Sequence, residues 1–245
     1  MAELTHEQAH RIAREKGTNK WVFRMFRLIF IPILRLFWGL RITGAENIPK
    51  TGRAIVAPNH KSFYDGFFVA AATPRQIRFM GKSELFQGRH GRLLLALGAF
   101  PVLRGQSDAT ALETSRIILE QDGLLALFPE GTRVRATDEF GTPKRGATRL
   151  ALETHSPLIP SAISGTEKMF WHGIPRPIRV QVAFGEPIPV HDLQVTQEVA
   201  GAVLNDELWP QVQEEYRQLR ARPGLIAAGI AAAGLGVALH QRRKR

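Results

Sequence analysis

His60 and Asp65, five positions apart, are the residues of this sequence best suited to acid–base chemistry. Residues five apart on an uninterrupted helix lie about 140° round the axis, so the chain must bend for these side chains to meet. Ser62 to Asp65 has the pattern of a capping box, which predicts that Ser62 caps a helix and that His60 folds back onto the Asp65 carboxylate. That contact would leave the other ring nitrogen free to take a proton. A capped helix with an incidental histidine also accounts for these residues.

The elements that must position this pair alternate between strand-like and helix-like segments, from Arg41 to about Val190. Short buried apolar runs, such as Arg53–Ala57 and Leu124–Phe128, predict strands, and the segments between them have helical patterns. The sequence therefore predicts an α/β fold in which helices flank a mainly parallel central sheet. Ligands of such sheets bind beyond the carboxyl ends of the strands.

Three polar clusters each follow a predicted strand, so we expect them to converge on one edge of the sheet. They are residues 59–65, 104–105 and 129–133. Arg104 and Arg133 present donor forks that suit a phosphate, and Lys82 adds a cation. Gly131 permits close backbone approach, while Glu130 can orient an arginine or a substrate hydroxyl. Taken singly, each arginine is also explained as a solvated or structural charge.

The composition limits the classes of chemistry. With no cysteine among its 245 residues, the sequence excludes disulfides, thiolate metal sites and cysteine nucleophiles. The formal net charge of +11 indicates a polyanionic partner, which could be a nucleic acid, an anionic membrane surface or a phosphorylated substrate. Few aromatic residues lie near the central basic clusters, so we expect no nucleic-acid partner.

One motif near the N-terminus indicates a different chemistry. His6, Glu7 and His10 match the H-E-x-x-H pattern, in which two histidines one helical turn apart bind zinc and the glutamate activates water. A zinc site needs a third ligand and a dry surrounding, whereas this segment is rich in charge and poor in apolar residues. We therefore predict a solvated helix and no metal site, with a zinc hydrolase as an alternative function.

Residues 21–38 predict an amphipathic helix at a membrane interface. Arg24, Arg27 and Arg35 fall within one ~80° sector, and aromatic and aliphatic residues fill the rest. The arginines would meet lipid phosphates while the rings enter the acyl boundary. A core helix with snorkelling arginines is the alternative.

The C-terminal end gives a weaker membrane signal. Gly224–Leu239 is apolar but short for a membrane span, and basic residues follow it. This pattern predicts a second interfacial anchor on anionic headgroups or, equally, a solvated basic tail. The predicted regions are an interfacial helical region (1–40), an α/β domain (41–222) and an apolar segment with a basic tail (223–245).

These features combine into one reaction. A histidine held by a carboxylate, without a serine or cysteine nucleophile on an elbow, suits removal of a proton from a substrate hydroxyl. The nearby cations indicate that the hydroxyl belongs to a phosphate ester, and the interfacial helix indicates that this ester is a lipid. The simplest reaction is direct acyl transfer from a thioester, with His60 as base and then as acid to the leaving thiolate.

Asn59–Asp65 resembles the N-H-x-S-x-x-D block of the glycerolipid acyltransferases, specifically the 1-acylglycerol-3-phosphate acyltransferases. Phe128–Arg133 matches their F-P-E-G-T-R block completely. Gly98–Arg104 resembles the intervening block that ends in arginine, and Pro157–Pro160 resembles their late proline-containing strand. Order and approximate spacing agree across about residues 41–190. Ser161 is a departure, because the family usually continues there with an apolar residue.

The resemblance implies an activity and a site. His60 is the implied base with Asp65 as its partner, and the residues that hold the glycerol phosphate are Arg104, Glu130, Gly131, Thr132 and Arg133. It implies an enzyme at the cytoplasmic face of the cell membrane that acylates lysophosphatidic acid to phosphatidic acid. The co-substrate would be acyl-coenzyme A or an acyl carrier protein, with no bound cofactor. The alternatives are another lysophospholipid or glycerol 3-phosphate as acceptor, or a non-catalytic protein that binds anionic lipids.

Overall fold

A seven-stranded sheet lies at the centre of the computed structural model, which describes residues 4–15, 19–103, 105 and 108–221. The strands are β1 (Arg41–Thr43), β2 (Ala54–Pro58), β3 (Ile77–Lys82), β4 (Ala99–Val102), β5 (Leu124–Ala126), β6 (Leu158–Ser164), β7 (Phe170–Trp171), β8 (Ile174–Pro175) and β9 (Gln181–Phe184). The sheet has the order β1-β9-β6-β2-β5-β3-β4, and β7 and β8 form a separate antiparallel pair. Short buried apolar runs therefore form its strands, as the sequence predicts.

Five neighbouring strands, β6, β2, β5, β3 and β4, run parallel to one another. At the other side of the sheet, β9 pairs antiparallel with β6 and parallel with β1. The predicted α/β fold with a mainly parallel sheet is confirmed. Because the carboxyl ends of the five parallel strands share one edge, the segments that follow them meet there.

Helices cover both faces of the sheet. In the described part of the chain they are α1 (His6–Glu15), α2 (Lys20–Trp38), α3 (Asp65–Ala72), α4 (Gly88–Ala96), α5 (Ala109–Glu120), α6 (Gly146–Thr154), α7 (Gln197–Ala202) and α8 (Trp209–Ala221), with a π-helical turn (Val203–Leu208) between the last two. Ile55 and Ala57 of β2 belong to one buried apolar cluster, and Ala54 and Val56 belong to another. This division follows from the alternation of side chains along a strand.

The prediction that the N-terminal helix is solvated is wrong. α1 packs against α5 and β4, and Ala9, His10 and Ala13 are each 1% exposed. Small side chains three and four positions apart form a narrow buried stripe, which a search for large apolar residues misses. Arg78 of β3 fixes the end of this helix, because its Nη2 donates to the Ala13 carbonyl oxygen at 2.9 Å.

α2 is helical as predicted, and most of its large apolar side chains do not pack on the protein. Its N-cap is Asn19, and it ends at Gly39 in the left-handed conformation (φ 47°). Phe23, Phe26 and Leu34 are its buried residues. The exposed large apolar residues of the helix are Trp21, Met25, Leu28, Ile29, Phe30, Ile33, Leu36 and Phe37.

No helix among the described residues is both long and apolar enough to cross a membrane. The predicted C-terminal anchor, Gly224–Leu239 with its basic tail, lies outside the described residues.

Candidate active site

The turn between β2 and α3 brings His60 and Asp65 together, with Nδ1 of the histidine 2.9 Å from Oδ2 of the aspartate. The bonds of the predicted capping box are present, because Asp65 Oδ2 accepts the N–H of Ser62 at 2.7 Å and Ser62 Oγ accepts the N–H of Tyr64 at 3.3 Å. The predicted N-cap position is corrected: α3 begins at Asp65 itself, and its N-cap residue is Tyr64, not Ser62. Asp65 Oδ2 also accepts the backbone N–H of Lys61 at 2.6 Å. A carboxylate at the first helical position thus closes the turn that precedes the helix.

Thr166 completes the surroundings of this carboxylate. It follows β6, and its hydroxyl donates to Asp65 Oδ1 at 2.5 Å. Asp65 is fully buried and accepts from four donors. Because a carboxylate can only accept, the proton between the two side chains belongs to His60 Nδ1, and in the neutral imidazole Nε2 then carries none. No local sequence pattern indicates Thr166, since 101 positions separate it from Asp65.

Glu130, from the loop after β5, supports the backbone of the histidine. Its Oε1 accepts the N–H of His60 at 2.8 Å, and its Oε2 accepts the N–H of Gly141 at 2.6 Å. The side chain is 2% exposed, and this burial raises the pKa of Glu130, although the two backbone hydrogen bonds oppose the shift. Phe128 of the same loop stacks on the His60 ring with 4.2 Å between centroids. The loop therefore fixes both the backbone and the ring of His60.

Two neighbours of His60 anchor the turn from inside the protein. The Asn59 amide bonds both to the carbonyl oxygen of Ile163 and to its N–H, at 3.1 and 2.8 Å. The Lys61 ammonium donates to the carbonyl oxygens of Ala136 and Glu139. Burial lowers the pKa of Lys61, and nearby carboxylates oppose this shift. Sequence reasoning assigned neither residue a role, because their partners lie in distant segments.

A cavity of about 220 Å³ adjoins His60. Most of its lining is apolar and comes from α2, residues 63–70, β3, residues 85–97, the first residue of β4 and the loop after β5: Phe23, Phe26, Phe63, Gly66, Phe67, Ala70, Phe79, Met80, Gly81, Leu85, Phe86, Leu94, Leu97, Ala99 and Phe128. Two cations of the predicted phosphate set, Lys82 and Arg133, line the same cavity. The apolar cavity is therefore bordered by one histidine, His60, and by two cations.

The other members of the predicted phosphate set have different positions. Gly131 adopts a φ of 65°, and a Cβ added to it would lie 3.3 Å from the Nζ of Lys144, a cation that the sequence analysis did not select. Thr132 is exposed on the same loop. Lys82 is half-exposed and pairs with Glu84 at 2.8 Å. Arg104 lies outside the described residues.

Among the described residues, one group has the spacing of a metal site: His6, His10 and Asp108. It lies beside β4, three places along the sheet from β2, the strand that precedes His60. Neighbouring strands are about 4.8 Å apart, so a separation of three strands makes this group and the His60 site distinct. Burial, followed by the charge of His6, lowers the pKa of His10 to about 4.

Comparisons with known proteins bear on the family and the fold of the chain. A family model described as acyltransferase matches residues 39–164. The 1-acyl-sn-glycerol-3-phosphate acyltransferase of Bacillus subtilis is 31% identical over 161 residues, which cover 64% of this chain and 77% of that protein. The protein of the same name from Streptococcus pneumoniae is 31% identical over 169 residues, which cover 67% of this chain and 59% of that protein. The crystal structure of the LPA acyltransferase PlsC from Thermotoga maritima matches 86% of this chain and 84% of its own, with a TM-score of 0.69 and 25% identity.

Proposed function

The chain belongs to the acyltransferase family, together with the 1-acyl-sn-glycerol-3-phosphate acyltransferases, and we propose that it transfers a fatty acyl group to the free hydroxyl of lysophosphatidic acid. The donor is a thioester of coenzyme A or of an acyl carrier protein, and the product is phosphatidic acid. The observation that carries the mechanism is the 2.9 Å contact between His60 Nδ1 and Asp65 Oδ2. It leaves Nε2 as the proton acceptor of a ring that lines the cavity.

The reaction follows from this tautomer. Nε2 of His60 takes the proton of the acceptor hydroxyl as its oxygen attacks the thioester carbonyl carbon. A C–O bond forms, the tetrahedral intermediate collapses, the C–S bond breaks, and the imidazolium returns the proton to the leaving thiolate. Asp65 stabilises the transient imidazolium and holds the ring in place. General acid–base catalysis of this kind contributes roughly 10²–10⁴-fold to the rate.

The phosphate of the acceptor is assigned to the cations beside His60. Arg133 and Lys82 line the cavity, and Lys144 lies against Gly131 of the loop that carries Arg133. A guanidinium fork suits two phosphate oxygens, whereas the ammonium groups act as point charges. Glu130 has a different role, since each of its oxygens already accepts a backbone N–H. It positions His60 and does not bind the phosphate.

The apolar part of the cavity takes a hydrocarbon chain. Phe23 and Phe26 of α2 form one wall, and Phe79 and Leu85 contribute to the rest. Because burial of each methylene contributes about 0.8 kcal/mol, such a chamber favours a long acyl chain over a polar group. His60 lines the same cavity, so a thioester or glycerol hydroxyl at the end of the chain comes within reach of Nε2.

The exposed apolar side chains of α2 are assigned to the membrane surface. Leu28, Leu36 and Phe37 are 66%, 79% and 54% exposed, while Arg24 and Arg35 are exposed on the same helix. An apolar face flanked by arginines is typical of a helix that lies in the interface of an anionic bilayer. The inner face of α2 lines the cavity, so a lipid would pass directly from the bilayer to the site.

The activity is tested with purified full-length protein, lysophosphatidic acid and either acyl-coenzyme A or an acyl carrier protein thioester, with phosphatidic acid detected by mass spectrometry. Glycerol 3-phosphate serves as the competing acceptor. We expect His60→Ala and Asp65→Asn to lose at least about 100-fold in kcat. His191→Ala, which changes an exposed histidine, is the matched control and should retain wild-type activity. Equal product from wild type and His60→Ala would refute the mechanism.

The phosphate assignment is tested by comparing lysophosphatidic acid with a monoacylglycerol of the same chain length. Arg133→Ala should raise KM for the phosphate-bearing acceptor and leave KM for the donor unchanged. Arg135→Ala, two positions away and also exposed, is the control. If Arg133→Ala has the same KM for lysophosphatidic acid, relative to the monoacylglycerol, as Arg135→Ala and wild type, Arg133 does not contact the phosphate.

The membrane assignment is tested by sedimentation with anionic vesicles. Leu28→Glu combined with Leu36→Glu should lower the bound fraction, because two charges would enter the acyl boundary. Leu193→Glu, an exposed leucine outside α2, controls for added charge. Unchanged vesicle binding of the double variant would place the membrane contact elsewhere.

A further inference from the structure

We propose that His6, His10 and Asp108 form a binding site for a zinc-type divalent cation, which joins α1 to the start of α5. The site is separate from the proposed acyltransferase centre. Two imidazole nitrogens and one carboxylate oxygen are ligands that Zn²⁺ commonly takes in proteins, with water in a fourth position.

The distances between the three side chains suit one ion. His6 Nε2 lies 3.1 Å from His10 Nε2 and 3.6 Å from Asp108 Oδ2. Zinc bonds of 2.0–2.1 Å in a tetrahedral arrangement place ligand atoms about 3.3 Å apart, between these two values. One ligand atom from each residue lies within 4.8 Å of the other two. The side chains are therefore close to a coordinating arrangement before an ion draws them together.

The hydrogen bonds around His10 fix the tautomer that coordination requires. Thr114 Oγ1 donates its one proton to the Thr110 carbonyl oxygen at 2.9 Å and accepts the Nε–H of Arg14 at 2.8 Å. Since that proton is used, the 2.8 Å contact between Thr114 Oγ1 and His10 Nδ1 must have the imidazole as donor. Nε2 of His10 therefore presents a lone pair toward His6. A second partner that orients a ligating histidine in this way is characteristic of metal sites.

Asp108 is also fixed before an ion binds. It is the N-cap of α5, where Oδ1 accepts the N–H of Ala111 at 2.9 Å and Oδ2 accepts the N–H of Leu103 at 2.8 Å. His6 is the adjustable ligand, because its side chain is 30% exposed and can carry its proton on Nδ1 when Nε2 binds the ion. The exposed side of His6 also gives solvent access for the fourth ligand.

These contacts remove both objections that the sequence raised against a metal. α1 is packed against the domain, so the histidines do not lie on a solvated helix, and Asp108 supplies the third ligand from 98 positions away in the sequence (108 minus 10). Glu7, which would activate water in an H-E-x-x-H enzyme, is exposed. The ligands come from α1 and from the N-cap of α5, so we assign the ion a structural role, in which it holds α1 against α5.

The test uses full-length protein treated with a chelator and then dialysed against Zn²⁺, with bound metal measured by elemental mass spectrometry and the thermal midpoint by calorimetry. We expect one zinc per chain and a midpoint that rises with Zn²⁺ concentration, because an ion that binds only the folded state stabilises it. His6→Ala removes a partly exposed ligand with little loss of packing and should weaken zinc affinity by at least about 10-fold. Asp108→Asn should do the same, and its remaining amide oxygen preserves part of the N-cap.

Two controls separate this site from other histidines and acids. Glu7→Gln changes the glutamate of the H-E-x-x-H motif, and His191→Ala removes an exposed histidine elsewhere, so both variants should bind zinc as wild type does. Thr114→Val keeps the shape of a buried side chain but removes the acceptor for His10 Nδ1–H, and it should lower zinc affinity about 10–100-fold. Wild-type protein that binds no zinc, or His6→Ala protein that binds it with unchanged affinity and midpoint, would overturn the proposal.

Discussion

Glu130→Gln replaces one carboxylate oxygen with an amide nitrogen. Although the two side chains have nearly the same size, we expect the substitution to lower both stability and activity. Both Glu130 oxygens accept backbone N–H groups, from His60 at 2.8 Å and Gly141 at 2.6 Å, in a side chain that is 2% exposed. A glutamine has one acceptor oxygen, so its amide nitrogen must face one of these two donors. A buried donor without an acceptor costs about 1–3 kcal/mol. We expect a loss of about 2 kcal/mol in the free energy of unfolding, which corresponds to a thermal midpoint roughly 4–8 °C lower.

The same substitution should reduce catalysis, because one of the two donors holds the catalytic histidine. A displacement of His60 by about 1 Å can cost roughly 10²-fold in rate. The assay measures kcat and KM for lysophosphatidic acid together with the thermal midpoint. Glu139→Gln makes the same chemical change on an exposed side chain of the following loop and should leave all three unchanged. If Glu130→Gln instead raises only KM for the acceptor and keeps the wild-type midpoint, the carboxylate binds substrate and our assignment is wrong.

Three further predictions concern the same region. Thr166→Val removes the hydroxyl that donates to Asp65 Oδ1, a bond to a carboxylate worth about 1.5 kcal/mol or more. We expect kcat to fall about 10-fold with KM unchanged, and to recover in Thr166→Ser. A wild-type kcat in Thr166→Val would show that the bond is dispensable. Burial raises the pKa of Glu130, so its contribution to stability is greatest below the unfolded value of 4.5 and is lost as pH rises through the folded value. The difference in unfolding free energy between wild type and Glu130→Gln, measured in urea at a series of pH values, should therefore decrease as pH rises above 4.5, and an increase would contradict the shift. Ala70→Phe adds a ring to the cavity wall and should move the products toward shorter chains in a competition among acyl donors; an unchanged product profile would mean that the chain lies elsewhere.

The sequence was informative where the signal is local or is imposed by sheet geometry. His60 and Asp65 are near neighbours in the chain, and their contact needs only a turn between them. The loops after β2 and β5 meet because parallel strands place their carboxyl ends at one edge. The alternation of strand-like and helix-like segments predicts the fold class, and these two facts predict that His60, Asp65 and the loop after β5 lie close together.

The remaining contacts depend on tertiary partners that no local pattern specifies. Thr166 reaches Asp65 from 101 positions away, and the loop that bonds to Lys61 lies 75 to 78 positions away. From its residue type, Glu130 could bind a substrate. Its hydrogen bonds to the N–H groups of His60 and Gly141, which are known only from the structure, indicate a positioning role instead. α1 was misjudged for a related reason: its buried face is made of alanine and histidine, and burial of small residues depends on the surface they meet.

Three consecutive backbone amides, those of His60, Lys61 and Ser62, all donate to two buried carboxylates. The segment has no regular secondary structure, yet its amides are bonded as completely as those of a strand. The conformational entropy of ordering this loop is therefore lost once, during folding, and not again at each turnover. The dipoles that hold the base are already oriented before a substrate arrives, so little reorganisation is needed around the reacting groups.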